Sequence, residues 1–116
     1  MSRETKFRAW HKTKEKYYPI VSLNFYTQEV CIGKPYKYVW VSLNDVVLEQ
    51  YTGLKDKNGV EIYGGDIVEF EDIVGEVQFL PQQNGYAVMT YNSDYKLVGW
   101  KYGVVGNIHE NEELLK

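Results

Sequence analysis

The sequence predicts a mostly β protein folded as a single domain, and three observations carry that prediction. Apolar residues recur with period two in short runs, and no stretch sustains the 3.6-residue repeat of an amphipathic helix. The runs are separated by turn-forming residues, among them Gly33-Lys34-Pro35, Asn58-Gly59 and Gly64-Gly65-Asp66. Eleven Tyr, four Phe and three Trp, together with Val and Ile, supply the residue types that favour strands. A length of 116 residues suits one domain. Many short strands at close spacing point to a small barrel or a sandwich.

In chain order, "TKFRAWH" alternates, with Phe7 and Ala9 on one face and Lys6, Arg8 and Trp10 on the other. "KTKEK" is a polar turn and "YYPIVSLNFY" a second strand, so the two form a hairpin at about residues 1–25. Pro19 removes a ladder donor and belongs at an edge or a bulge. A strand from Tyr36 to Val41 is entered through the Gly-Lys-Pro turn. "NDVVLEQYTGL" suits either a strand or a short helix capped by Asn44 or Asp45; Val46, Val47 and Tyr51 favour the strand. Asn58-Gly59 offers positive φ for a tight turn, and Gly65 and Asp66 mark a second one. "DIVEFEDIVGEVQFL" reads as strands at 66–71 and 74–80, with a phase break at Gly75. Two or three further strands follow, broken at Asn92–Asp94 and Gly103, and Asn111 is placed to cap one helical turn. The barrel core is expected at about 60–110.

Net charge is -3, which opposes a phosphate backbone in bulk. The distribution is uneven. Residues 1–16 hold six Lys/Arg against two Glu, net +4; the remainder holds seven Lys against fourteen acids, net -7. No apolar run approaches a membrane span, and the charged start "MSRETKFRAW" lacks the apolar segment of a secretory leader, so a cytoplasmic protein is expected. Cys31 is the sole cysteine and forms no intrachain disulfide.

Three blocks, "KFRAW", "QYTGLKDKNGVEIYGGDIVEF" and "VVGNIHENEELL", resemble the YopX-like family of phage and prophage proteins. They occur in family order and reach both ends of the chain. The resemblance implies a β-rich fold with an SH3-type barrel component and an origin in a bacteriophage or prophage, hence a bacterial host cytoplasm. It implies no activity and no catalytic residues. His11 stands where the family pattern has Asp, and Gly64 where it has Glu.

The residues suggest little catalytic chemistry. "DKNG" lacks the alternating carboxylates of a calcium loop, and Lys55 and Lys57 flank Asp56, which is expected to make only a local hydrogen bond. "GGDIVEF" lacks the Gly-Lys-Ser/Thr of a phosphate loop. His11 and His109 have no zinc spacing, Cys31 reads as a small packed hydrophobe, and Glu69 and Glu71 read as a wet face. No catalytic residue, cofactor or metal is expected. The N-terminal hairpin is the binding candidate: Lys6, Arg8, Trp10, Lys12, Lys14, Lys16 and Tyr17 interleave cations with rings. That mixture suits single-stranded nucleic acid. A protein partner, from host or phage, or a second copy suits it better, because the +4 and -7 regions attract and surplus Tyr and Trp anchor interfaces. The expected role is therefore a non-enzymatic, self-associating interaction module.

Overall fold

The computed structural model describes residues 6–116; residues 1–5, where the expected hairpin begins, lie outside the described residues. Eleven strands and four short 3-10 turns make up the described chain. It divides into two compact units, meeting in sequence between Gln50 and Tyr51.

The first unit, to Gln50, is an antiparallel sheet in the order β4-β3-β2-β1-β5. Its strands are β1 (Phe7–His11), β2 (Lys16–Asn24), β3 (Glu29–Lys34), β4 (Lys37–Ser42) and the first half of β5 (Val46–Lys55). β1 and β2 form the expected hairpin, with Ala9 opposite Tyr18 and Trp10 opposite Tyr17. β1 also pairs with β5 on its other side, so the hairpin is interior to the sheet. Leu43–Asp45 is a single 3-10 turn whose first free amide is capped by the Ser42 hydroxyl, and the following residues are strand.

Strand alternation gathers Ala9, Val30, Ile32 and Val46 on one face, with Tyr18, Ile20, Leu23, Val41, Leu43 and Leu48 packed around them. β2 could not serve this face with unbroken alternation, because Ile20 and Leu23 are three apart. A bulge solves the problem: Ile20 pairs with Ile32 and Ser22 with Cys31, leaving Val21 unmatched and 49% exposed. Pro19 lies just outside the β2–β3 ladder, next to that bulge. β3 is an addition to the expected elements. "EVCIGK" holds a glycine and runs into the Pro35-Tyr36 turn, and it pairs with β2 on one side and β4 on the other.

The second unit begins with the rest of β5, which pairs with β6 (Glu61–Tyr63). A five-stranded antiparallel sheet follows in the order β10-β9-β8-β7-β11. It comprises β7 (Asp66–Phe70), β8 (Ile73–Leu80), β9 (Gly85–Met89), β10 (Asp94–Lys96) and β11 (Gly103–Asn107). Its core is Ile62, Val68, Val77, Val88, Leu97 and Tyr102. Among the described residues no ladder joins β10 to β11. The sheet therefore stays open, and the closed barrel expected from the spacing of the strands is not formed.

Three local expectations need correction. Gly59 has positive φ (83°) but Asn58 does not; the turn closes through the Gly59 amide on the Asp56 carbonyl. No phase break occurs at Gly75, because β7 and β8 stay in register from Phe70–Ile73 to Ile67–Glu76. Gly75 is required for another reason: a Cβ there would lie 2.5 Å from the Met89 carbonyl oxygen on β9. Asn111 precedes the last 3-10 turn, Glu112–Leu115, but makes no cap bond to it; its side-chain oxygen accepts from the Asn107 amide.

These two glycines should respond differently to alanine. At Gly59 nothing lies within 4 Å of the added methyl, so the cost is conformational, roughly 1 kcal/mol. At Gly75 the methyl meets backbone and the Val88 side chain, so the loss should approach about 3 kcal/mol. Urea unfolding midpoints of Gly59→Ala and Gly75→Ala compare them; equal losses would contradict the packing around Gly75.

Candidate functional site

Strand alternation puts Arg8 and Trp10 on the same face of β1, opposite to the core residue Ala9. β5 places Glu49 directly across from Arg8, and β2 places Tyr17 across from Trp10. The Arg8 guanidinium reaches Glu49 Oε1 through Nε at 2.9 Å and Nη2 at 2.8 Å. Nη2 also donates to the Tyr17 hydroxyl at 3.1 Å, and that hydroxyl donates to the same Glu49 oxygen at 2.9 Å. The guanidinium carbon lies 4.0 Å from the Tyr17 ring centroid, within cation–π range. Trp10 meets Tyr17 edge to face at 5.0 Å between centroids.

The structure thus brings Arg8, Trp10 and Tyr17 together, but turned toward one another. The Glu49 side chain is 6% exposed and Arg8 18%, while Trp10 as a residue is 6% exposed. A ring so covered presents little face for stacking a base, and Arg8 is already committed to a carboxylate. Glu49 carries no local signal in the sequence, since it lies 41 residues from Arg8. Lys12, Lys14 and Lys16 stand exposed on and beside the β1–β2 turn, and Lys6 is half-buried. Lys12 donates to the Asn44 carbonyl oxygen at 2.9 Å, and the Lys14 amide donates to His11 Nδ1.

The glycine-rich stretch from 51 to 70 is occupied with its own backbone. Asp56 is 6% exposed, and both its oxygens are used. Oδ1 accepts from the amides of Asn58 (2.8 Å) and Val60 (2.9 Å), and Oδ2 from the amide of Val104 on β11 (2.9 Å). Burial by itself would raise the Asp56 pKa. The Val104, Val60 and Asn58 amides, with the Lys57 charge, outweigh that and hold it below the ordinary aspartate value. The expectation of a merely local hydrogen bond is therefore too small, since one of the three donors lies 48 residues away. Asp66 accepts from the Tyr63 amide at 2.8 Å across the second turn, where Gly65 takes a φ of 94°. The buried Thr52 hydroxyl donates to the Ile62 carbonyl at 2.8 Å and accepts from the Leu54 amide.

Among the described residues no group of three or more His, Cys, Asp or Glu could hold a metal ion. No helix among them is long and apolar enough to cross a membrane. The second unit has an open cleft of about 460 Å³ lined by Thr52, Phe79, Gln83, Asn84, Tyr86 and Lys96, among others; it holds one charged side chain. Exposed large side chains concentrate elsewhere. On β4 and the turn before it, Tyr36 is 100% exposed and Tyr38, Val39 and Trp40 about half exposed. The sequence marks this run as a strand, but only the sheet order makes it an edge.

Two predictions follow from the buried polar groups. Arg8→Ala would remove the guanidinium from the buried Glu49 carboxylate and the Tyr17 hydroxyl, at a cost of roughly 2–4 kcal/mol, whereas Lys14→Ala should stay within about 0.5 kcal/mol. Chemical denaturation of both variants tests this, and a comparable small loss would place Arg8 at the surface. Asp56→Asn would set an amino group against an amide donor and should cost about 3 kcal/mol at neutral pH. A carboxylate whose pKa is lowered by folding stabilises above its unfolded pKa and ceases to do so as pH falls through the folded value. The gap between wild type and Asp56→Asn should therefore be full at pH 7 and narrow below about pH 4; a pH-independent gap would refute the charge-based account.

A crystal structure of protein EF1440 from Enterococcus faecalis is similar to this chain. The two share 27% identity with a TM-score of 0.70, over 99% of this chain and 100% of that one. No curated protein matches. The profile of the YopX protein family matches residues 6–116, which include both units and all three sequence blocks. The chain belongs to the YopX protein family.

Proposed function

We propose that this protein is a non-enzymatic phage or prophage accessory protein of the host cytoplasm, which self-associates and acts through protein contacts. The observation that carries the reading is the contrast between two aromatic groups in the first unit. Trp10 and Tyr17 are held in a polar cluster with Arg8 and Glu49, whereas Tyr38 and Trp40 are displayed on an edge strand and Tyr36 on the turn before it. Exposed Tyr and Trp on a rigid strand are the residues that anchor protein interfaces. The SH3-type component belongs to the same proposal and falls on residues 51–116, whose five-stranded antiparallel sheet supports it.

Binding of single-stranded nucleic acid is the alternative, favoured by the exposed Lys12, Lys14 and Lys16. It requires a stacking partner as well as phosphate attraction; Trp10 is covered, and the Tyr17 ring beside Lys16 is stacked under the Arg8 guanidinium. Capture of partners from lysogenic host cells, with and without nuclease, separates the two. A partner that survives nuclease supports protein contact. Binding of a single-stranded oligonucleotide that falls steeply with salt, and is abolished by Lys12→Ala/Lys14→Ala/Lys16→Ala in a folded protein, would replace that reading. The expected result is negligible oligonucleotide binding even at low salt.

A further inference from the structure

Edge strands carry unpaired backbone donors and acceptors, and proteins ordinarily blunt them with short length, bulges, prolines or charge. The other edges of this molecule follow the rule. β6 and β10 are three residues long, and β11 has a register irregularity between Val104 and Gly106. β4 does not. It is six residues long, pairs with β3 without interruption from Lys37–Lys34 to Ser42–Glu29, and has no neighbour on its other side among the described residues. Its composition, "KYVWVS", is β-branched and aromatic, and its single charge stands at the first position.

We propose that the β4 edge pairs with β4 of a second copy of this chain, antiparallel and about a two-fold axis; this rests on the self-association proposed above. Charge selects the direction. Lys34 and Lys37 lie together at one end of the β3–β4 hairpin, while Glu29 lies opposite Ser42 at the other, with Asp45 just beyond. The nearby Lys12 ammonium is engaged with the Asn44 carbonyl. An antiparallel pair sets the lysine end of each copy beside the acidic end of the other, and a parallel pair would set lysines against lysines.

Side chains select the register. In an isologous antiparallel pair, one residue faces its own copy. Centring on Val39 brings each Tyr38 opposite the other copy's Trp40, so both rings of each edge gain an aromatic cross-strand partner. It also places Val39 against Val39 on the face that holds Ile32 and Val41, so the apolar layer of one sheet continues into the next. Centring on Trp40 would leave Tyr38 opposite Ser42. The Val39 register therefore covers all three half-exposed side chains of the strand.

Two measurements test the pairing. Sedimentation of the full chain should give a dimer at micromolar concentration, and Trp40→Lys should raise its dissociation constant at least about tenfold without loss of the β circular dichroism spectrum. Val39→Cys should form an intermolecular disulfide under mild oxidation, because directly opposed strand residues lie within disulfide reach. Tyr26→Cys, on the exposed β2–β3 turn, should not. A cross-link specific to Val39→Cys supports the edge pairing even if Trp40→Lys fails to fold. An oligomer that survives Trp40→Lys and yields no Val39→Cys cross-link overturns this surface while leaving self-association standing. A monomer at every concentration and low salt overturns both.

Discussion

A buried carboxylate can be held in a protein only if donors meet its lone pairs, and Asp56 fixes the second unit through that requirement. Its donors come from both ends of a long stretch of sequence: two from its own turn and one from β11. Beside it, the Lys57 amide donates to the Tyr102 carbonyl at 2.9 Å. The β5–β6 turn and the start of β11 are thus tied by two hydrogen bonds running in opposite directions. Tyr102 and Ile62, on the two tied segments, both enter the core. The polar tie and the apolar packing depend on each other: the core excludes the water that would compete for Asp56, and Asp56 holds the segments that supply the core.

The first unit uses a different solution. Arg8, Tyr17 and Glu49 form a closed triangle of side chains on adjacent strands β2, β1 and β5. A pair of this kind costs desolvation, so it contributes less to net stability than its short distances suggest. Its effect is on specificity. A one-residue slip of β1 against either neighbour would turn Arg8 to the face of Ala9 and away from Glu49. The charged triangle and the apolar face therefore specify the same register independently.

Much of this was legible in the sequence because it is local. Alternation in "KFRAW" and turn chemistry at Gly59, Gly65 and Asp66 depend on residues within a few positions, and the hairpin and both turns formed where expected. What was not legible depends on distant partners. Nothing near "DKNG" announces Val104, and nothing near Arg8 announces Glu49. β3 was missed because "EVCIGK" is short and ends in Gly33 before the Pro35 turn, and its partners on β2 and β4 are what define it. Gly75 was misread as a change of phase because a glycine in a strand has two meanings, a bulge or a close approach, and only the neighbouring β9 distinguishes them. Part of the candidate binding surface was illegible for the same reason. Cations and rings interleaved along a strand look like a nucleic-acid face, yet Arg8 and Tyr17 are bonded to a carboxylate supplied by another strand, while Lys12, Lys14 and Lys16 stay exposed.

The bulge in β2 also changes how length is counted along the chain. Ile20 and Ser22 face consecutive residues of β3, so Val21 has no partner of its own in that ladder. Removing its codon would leave Ile20 opposite Ile32 and Leu23 opposite Val30, with regular alternation between them. Removing the codon for Ser22 would be equally tolerable to the count, with Val21 inheriting the place beside Cys31. Removal of Leu23, in contrast, would carry Asn24 to the apolar face. The strand thus holds one spare position, and over generations it can absorb a lost residue at that point while a lost residue two places on would reverse the rest of the strand.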